Sequence, residues 1–326
     1  MLEDLEGKGL IIHHWDTDGI CAARLLLEHL QDYELSTATP HLGNYYLTTE
    51  ELTAYSAYDF IIIVDMALPE ENVTALAAKA KIFIFDHHLQ KEIPVVFHYN
   101  PIIKGASPED YPSASWIVNE FLGNAVNLFA LLGVIGDHEQ RIAQNETFKE
   151  IITDFCEKHA LTFEDLLTMV HLIDSNYKVA DTEAVKAAPH FLLSVQSHHE
   201  ILDHEKWKQN VVNLHIELSR QLATPPEEQQ GILLKRMKTP YNIISTVTRR
   251  LAWDTKQDVL VVNTGYFQDN DQLYVRSSQD LEPIIQQLKA AGLRAGGKKE
   301  VLGAIVPKAQ TEAYVEEILA FLTKRR

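Results

Sequence analysis

The chain has 326 residues, 46% hydrophobic and 23% charged, and 46 acids against 29 lysines and arginines give a net charge of −17. That composition supplies ample apolar side chains for buried cores, predicts two domains at roughly 100–200 residues each, and argues against a protein that coats duplex nucleic acid with a basic stripe. No apolar run approaches the ~20 residues of a membrane helix, and the acidic opening Met1-Leu2-Glu3-Asp4 is unlike a basic signal peptide.

Two cysteines, Cys21 and Cys156, cannot make a disulfide framework, and neither lies in a CxxC pair. A reducing, cytoplasmic setting is the expectation. The charge is uneven: residues 1–180 carry 10 Lys and Arg against 28 Asp and Glu, whereas the chain from Lys235 onward carries 15 against 10. An anionic substrate must therefore be attracted locally, by bound metal or by the C-terminal third.

In chain order, Gly9-Leu10-Ile11-Ile12-His13 predicts a short buried strand that runs into a polar turn at Asp16-Thr17-Asp18-Gly19. A helix should follow, with Ala22, Ala23, Leu26, Leu27 and Leu30 at helical spacing. Phe60-Ile61-Ile62-Ile63-Val64 and Ile82-Phe83-Ile84-Phe85 are further buried strands, separated by a helical composition at 75–79. Apolar strands alternating with helices predict a parallel sheet covered on both faces. Ser113 is placed to cap a helix through Trp116, Ile117 and Phe121. Residues 184–222 read as helical, and Thr224-Pro225-Pro226 as a linker. Beyond it, strand-like segments at 231–237, 258–264, 272–277 and 301–306 and helix-like stretches at 282–291 and 311–323 predict a smaller mixed domain. The expected organisation is α/β: a parallel-sheet domain over 1–183, a helical linker over 184–230, and a mixed α/β domain over 231–326.

Four apolar runs of the first domain end in acids and histidines. The first leads to His14, Asp16 and Asp18, the second to Asp65, the third to Asp86-His87-His88, and the fourth, Leu131–Gly136, to Asp137-His138. Ligands of parallel α/β sheets bind beyond the carboxyl ends of the strands, so these ends can form one cleft. In extended chain His14, Asp16 and Asp18 share a face, with Gly19 as a flexible turn before the helix. Gathered without cations, the carboxylates would repel. Asp16, Asp18, Asp65 and Asp137 carry four negative charges, which two divalent cations neutralise. A mixed carboxylate–imidazole set suits Mn²⁺, and Mg²⁺ less well; absence of cysteine argues against structural zinc. Two such ions ~3.5–4 Å apart activate water and clamp a phosphoryl oxygen.

These motifs resemble those of the DHH phosphoesterase superfamily, which includes RecJ-type single-strand exonucleases, oligoribonucleases, cyclic-dinucleotide hydrolases and exopolyphosphatases. His14-x-Asp16-x-Asp18-Gly19 is similar to its first motif, Asp65 to the second, Asp86-His87-His88 to the third, and Gly136-Asp137 to the fourth. The resemblance implies one Mn²⁺ held by His14, Asp16 and Asp65, and another held by Asp18, Asp65, His87 and Asp137, with Asp65 bridging. It implies that His88 faces the substrate phosphate and that Asp86 orients the neighbouring histidines. The C-terminal third resembles the DHH-associated domain. Arg276 and Ser277 match its strand ending in Arg-Ser, and Gly296-Gly297-Lys298 stands in its glycine loop, with Ala295 for the first glycine and Lys298 for the usual histidine. These five residues, Arg276, Ser277, Gly296, Gly297 and Lys298, are the expected substrate contacts.

The remaining histidines, the Lys235-Arg236-x-Lys238 run and the Arg249-Arg250 pair read as ordinary surface or core residues, and no interleaving of aromatic with basic residues marks a base-stacking platform. The expected activity is a Mn²⁺-dependent, exonuclease-like phosphoesterase acting on short single-stranded oligonucleotides or small nucleotides. Alternatives are a phosphatase of polyphosphate or bisphosphate nucleotides, and a silent relative that binds nucleic acid or a replication partner. No membrane partner is expected, and a homodimer is compatible with the sequence.

Overall fold

Strands that are apolar along their whole length need cover on both faces, and the first sheet is built that way. The structure is a computed structural model that describes residues 2 and 5–324, with the Lys298 side chain outside the described residues. The chain opens with β1 (Lys8–His13), α1 (Thr17–His29), β2 (Glu34–Ala38), α2 (Thr49–Tyr55), β3 (Phe60–Val64), α3 (Glu70–Ala77), β4 (Lys81–Phe85) and β5 (Phe97–Tyr99). The strands pair in the order β2-β1-β3-β4-β5, all parallel. Leu10, Ile61 and Ile82 share one level of the sheet, Ile12, Ile63 and Ile84 another, and all six pack with Val73 and Leu76 of α3. Ile11, Ile62 and Phe83, on the alternate face, are equally buried. Each such side chain contributes about 1.5–3 kcal/mol by leaving water.

The connections give the sheet its functional edge. β1 pairs with β2 on one side and with β3 on the other, so the chain reverses direction across the sheet between β1 and β3. Such a switch point opens a crevice at the carboxyl ends of the strands. His13, Val64 and Phe85 stand in register, and the ladder continues one residue further: His14 N donates to Val64 O at 3.3 Å and Asp65 N to Phe85 O at 3.0 Å.

Helices α4 (Ala114–Phe121), α5 (Leu128–His138), α6 (Glu146–His159), α7 (Phe163–Lys178), α8 (Thr182–Ser194), α9 (His198–Leu202) and α10 (Glu205–Ala223) follow. Ser113 caps α4 by accepting the Trp116 N–H at 3.2 Å. The apolar run Leu131–Gly136 lies inside α5, so Asp137 closes a helix rather than a strand. One compact unit extends to Tyr177 and includes Asp181–Gln209; the other comprises Lys178–Ala180 and the chain from Asn210 onward.

The second unit contains β6 (Glu227–Gln229), β7 (Ile232–Met237), α11 (Ile244–Thr255), β8 (Val259–Asn263), β9 (Asn270–Arg276), α12 (Glu282–Ala290), β10 (Arg294–Lys298), β11 (Val301–Pro307) and α13 (Thr311–Lys324). Its sheet has the order β10-β11-β9-β8-β7-β6, parallel between β7 and β8 and antiparallel elsewhere. Residues of α12 and α13 share one buried cluster with Leu260, Val262, Leu273 and Val275, while α11 residues join Val259 and Val261 on the other face. The architecture is the α/β one expected: a parallel sheet, a helical region, then a mixed sheet. Among the described residues, no helix is long and apolar enough to cross a membrane.

Candidate metal centre

The first motif does not lie along an extended strand. The chain leaves β1 at His14 and enters α1 at Thr17, with Asp16 as the N-cap accepting the Gly19 N–H at 3.3 Å. Gly19 is therefore helical, not a flexible turn. A Cβ on it would stand 2.7 Å from the backbone N and O of His14, so only glycine admits this approach of strand end to helix. The turn separates the acids: Asp16 stays beside His14, with Oδ2 2.7 Å from Nδ1, while Asp18 points elsewhere.

Asp18 is fully buried and accepts two backbone N–H groups at the start of α4, from Ala114 at 2.6 Å and from Ser115 at 2.9 Å. These are N–H groups that have no partner within a helix, and the positive end of α4 favours a carboxylate there. Gly133 of α5 makes room for it, because a Cβ would run into Ser115 Oγ and Asp18 Oδ1. Sequence reasoning named Gly136 but missed Gly133; the small residue three positions earlier on the same apolar run was the available signal.

Asp65 follows β3 with a positive φ of 59°, a left-handed conformation that aspartate tolerates better than most side chains. Its two oxygens face different neighbours. Oδ2 lies 3.5 Å from His14 Nδ1, whereas Oδ1 lies 3.4 Å from His87 Nε2 and 3.9 Å from His88 Nδ1. His87 Nε2 also stands 3.3 Å from Asp137 Oδ2, at the end of α5. Asp86 is buried beneath this group: Oδ1 lies 2.8 Å from His88 Nδ1, and Oδ2 accepts from the Gln90 amide. Asn100 Nδ2 donates to the His88 carbonyl at 2.9 Å, so His88, half-exposed, is held from two sides. His138, by contrast, turns away to the Pro112 carbonyl, 3.1 Å from its Nε2.

Three interlocking donor sets result: His14, Asp16 and Asp65; Asp18, His87 and Asp137; and Asp65, His87 and His88. Both ring nitrogens of His14 and Nε2 of His87 are buried without a hydrogen-bond partner, the His14–Asp16 contact being out of line for one. Such orphaned ring nitrogens are costly unless another group fills them, and a cation does so at an unprotonated one. The ionisation pattern has the same meaning. Burial, then the charge of Asp65, pushes Asp18 up to about 7, and burial together with Asp18 and Asp65 drives Asp137 well above the carboxylate range. Burial acts to lower His87, but its contact with Asp65 wins and raises it to about 10. Asp65 is held well below the ordinary range, burial being outweighed by its contacts with His14 and His87. Without cations the cluster retains protons to offset its charge. Carboxylate oxygens and imidazole nitrogens with no thiolate fit Mn²⁺, or Mg²⁺ with more water.

The second unit holds the other expected residues. Arg276 ends β9, and its register runs through Val301 to Lys298, so these three backbones lie side by side. Ser277 is buried, its N donating to Glu300 O and its Oγ accepting the Gln279 N–H. Gly297 has a φ of 152° and no room for a Cβ beside the Val301 carbonyl, a demand of the β10–β11 hairpin; Gly296 has open space. The Lys298 side chain lies outside the described residues. Two features escaped the sequence. Trp253 is 62% exposed with the guanidinium carbons of Arg249 and Arg276 5.3 and 5.5 Å from its ring centre. Lys235 is buried instead of solvated and donates to the Thr224 carbonyl, while Arg236 pairs with Glu312.

Comparison with known proteins places this geometry. No curated protein sequence matches the chain. Residues 8–144 match the DHH family, N-terminal domain. Among solved structures, RecJ from Thermus thermophilus in complex with Mn²⁺ matches 98% of the chain at 17% identity with a TM-score of 0.69; the chain spans only 52% of that protein. A pGpG-specific phosphodiesterase, PggH from Vibrio cholerae, matches 98% of the chain and 99% of its own length at 16% identity and a TM-score of 0.55. CDC45 from Entamoeba histolytica matches 95% of the chain and 94% of its own length at 9% identity and a TM-score of 0.56. The structural likenesses establish a shared fold, and the family match, over residues 8–144, covers the segment that carries every donor above.

Proposed function

We propose that the chain is a metal-dependent phosphoesterase that hydrolyses phosphodiester bonds of short single-stranded oligonucleotides or small nucleotides. The observation that carries this reading is the split of Asp65 between two donor sets, one oxygen toward His14 and the other toward His87. A carboxylate so divided is suited to bridging two cations. His14, Asp16 and Asp65 would hold one divalent cation, and Asp18, Asp65, His87 and Asp137 the other, with Mn²⁺ the better match to the nitrogen content. When bound, the pair supplies a water of lowered pKa and neutralises phosphoryl oxygens.

The protein's own groups complete the chemistry. Asp86 fixes the His88 ring through Nδ1, which leaves Nε2 to donate to a phosphoryl or leaving oxygen. Burial acts to lower the His88 pKa, but the bond to Asp86 outweighs it and raises the pKa, favouring the donating form. The Ala114 and Ser115 N–H groups orient both oxygens of Asp18. In the second unit we assign substrate contacts to Arg276, Ser277, Gly296, Gly297 and Lys298; Arg276, braced on Trp253, is suited to a phosphate.

A binding role without hydrolysis draws on the likeness to CDC45, and a polyphosphate or bisphosphate nucleotide phosphatase would use the same donors. The complete donor set favours an enzyme. Hydrolysis of bis(p-nitrophenyl) phosphate by purified protein tests the reading: activity should vanish in EDTA and return with excess Mn²⁺. Equal activity in EDTA, or none with both cations bound, would refute it.

A further inference from the structure

A single exposed aromatic side chain on a protein surface is commonplace. Tyr45 differs in what lies on either side of it. The residue is 63% exposed, yet its ring stacks on His14, with ring centres 5.9 Å apart and planes inclined by 26°, and it meets Trp15 at 5.1 Å. Trp15 is buried and packs in turn on His14 at 4.2 Å. His14 is the residue whose Nδ1 faces both Asp16 and Asp65. The outermost ring of this three-ring stack therefore opens to solvent at the rim of the donor cluster.

The segment that carries Tyr45 is pinned on both sides. Asn44 N donates to His41 O at 2.8 Å, and Leu42 is buried just before the tyrosine. After it, Leu47 is buried and its backbone is held by Asn72, which accepts from Leu47 N at 2.8 Å. Most of Tyr45 stays in water on a fixed loop, and a flat partner laid on its open face would bury that surface at little cost in ordering.

We propose that Tyr45 is a stacking platform for a nucleobase of the substrate, and that it makes the centre selective for nucleotide esters over base-free phosphates such as inorganic polyphosphate. This rests on the phosphoesterase reading above and narrows its substrate class. Tyr45 stacks on His14, itself a member of the first donor set, so a base joined through one sugar to a phosphate held there would come within reach of the Tyr45 ring. Every base offers a flat face, so the contact selects for the presence of a base and not for its identity. An electron-rich ring that needs no hydrogen bond from its hydroxyl predicts that phenylalanine substitutes for tyrosine.

The test compares kcat/KM for a 5′-phosphorylated dinucleotide and for the abasic dinucleotide of the same backbone, in the Mn²⁺-loaded wild type, Y45A and Y45F. The preference for the base-bearing substrate should fall roughly 5- to 100-fold in Y45A, the range for losing one stacked base, and should survive in Y45F. An unchanged preference in Y45A, or an equal loss in Y45F, would overturn the proposal. If the wild type cleaves neither substrate, the phosphoesterase reading fails by itself. A 2-aminopurine dinucleotide then decides the stacking claim: quenching of its fluorescence by the wild type but not by Y45A upholds the platform, and equal quenching or none removes it.

Discussion

Ser115 N donates to Asp18 Oδ1 at 2.9 Å, a bond between residues 97 positions apart that ties the start of α1 to the start of α4. With Ala114 N on Oδ2, both oxygens of Asp18 are oriented before any cation arrives, yet each keeps a lone pair for coordination. The acid is thus positioned by helix ends and not by strand alternation. Asp18→Asn would give one oxygen's place to an NH₂ group facing a backbone N–H. It should abolish one of two bound cations and cost at least about 100-fold in kcat, more than outer partners of ligands typically do. Metal content by mass spectrometry beside steady-state kinetics checks this; two cations retained at full rate would contradict it.

Protons and cations compete for this cluster. Asp18 sits at about 7 and His87 at about 10 while metal-free, so both bind protons at pH 6 that coordination must expel. Lowering pH protonates the free protein further and weakens metal binding, and raising pH from 6 to 8 strengthens it. Calorimetry in buffers of different ionisation enthalpy should record net proton release at pH 7, declining as the pH passes 10. No release at pH 7 would count against the donor assignment.

Gly19 and Gly133 mark places where backbone or acid approaches a helix too closely for any Cβ. Gly19→Ala should destabilise the fold by about 1–3 kcal/mol and weaken metal binding, since the clash is with His14 itself. Gly105→Ala, where nothing lies within 4 Å but φ is 97°, is the control for strain without a clash. Thermal melts with and without Mn²⁺ separate the two, because only Gly19→Ala should lose part of the Mn²⁺-dependent stabilisation.

Arg276 offers a test of the second unit. Arg276→Ala should raise KM for oligonucleotides with a smaller effect on kcat, and Arg276→Lys should recover little, because a lysine cannot reproduce the planar contact with Trp253. An unaltered KM in both variants would remove Arg276 from the substrate contacts.

The readable parts of the sequence were those with a one-to-one link between pattern and environment. Phe60–Val64 and Ile82–Phe85 are buried on both faces, so their strands stood out, and the acids that end them stood out with them. β2 (Glu34–Ala38) and β5 (Phe97–Tyr99) are short edge strands with mixed burial, and β10 (Arg294–Lys298) contains two glycines; none carries a strand signal. Leu128–His138 is apolar around nearly its whole circumference, which conceals helical periodicity. The separation of Asp16 from Asp18 was hidden for a different reason: it depends on Gly19 meeting His14, a contact no spacing rule contains. Trp253 between Arg249 and Arg276 needs β9 and α11 to be neighbours, which the order of residues does not state.

The most direct test of the account is release of mononucleotide from end-labelled RNA and DNA oligomers of about two to twenty-four nucleotides, in Mn²⁺ and in EDTA, with Asp137→Ala alongside. The account predicts Mn²⁺-dependent cleavage that fades with length and is lost in EDTA and in Asp137→Ala. Cleavage that persists in EDTA or in Asp137→Ala, or no cleavage at any length by protein holding two cations, would contradict it.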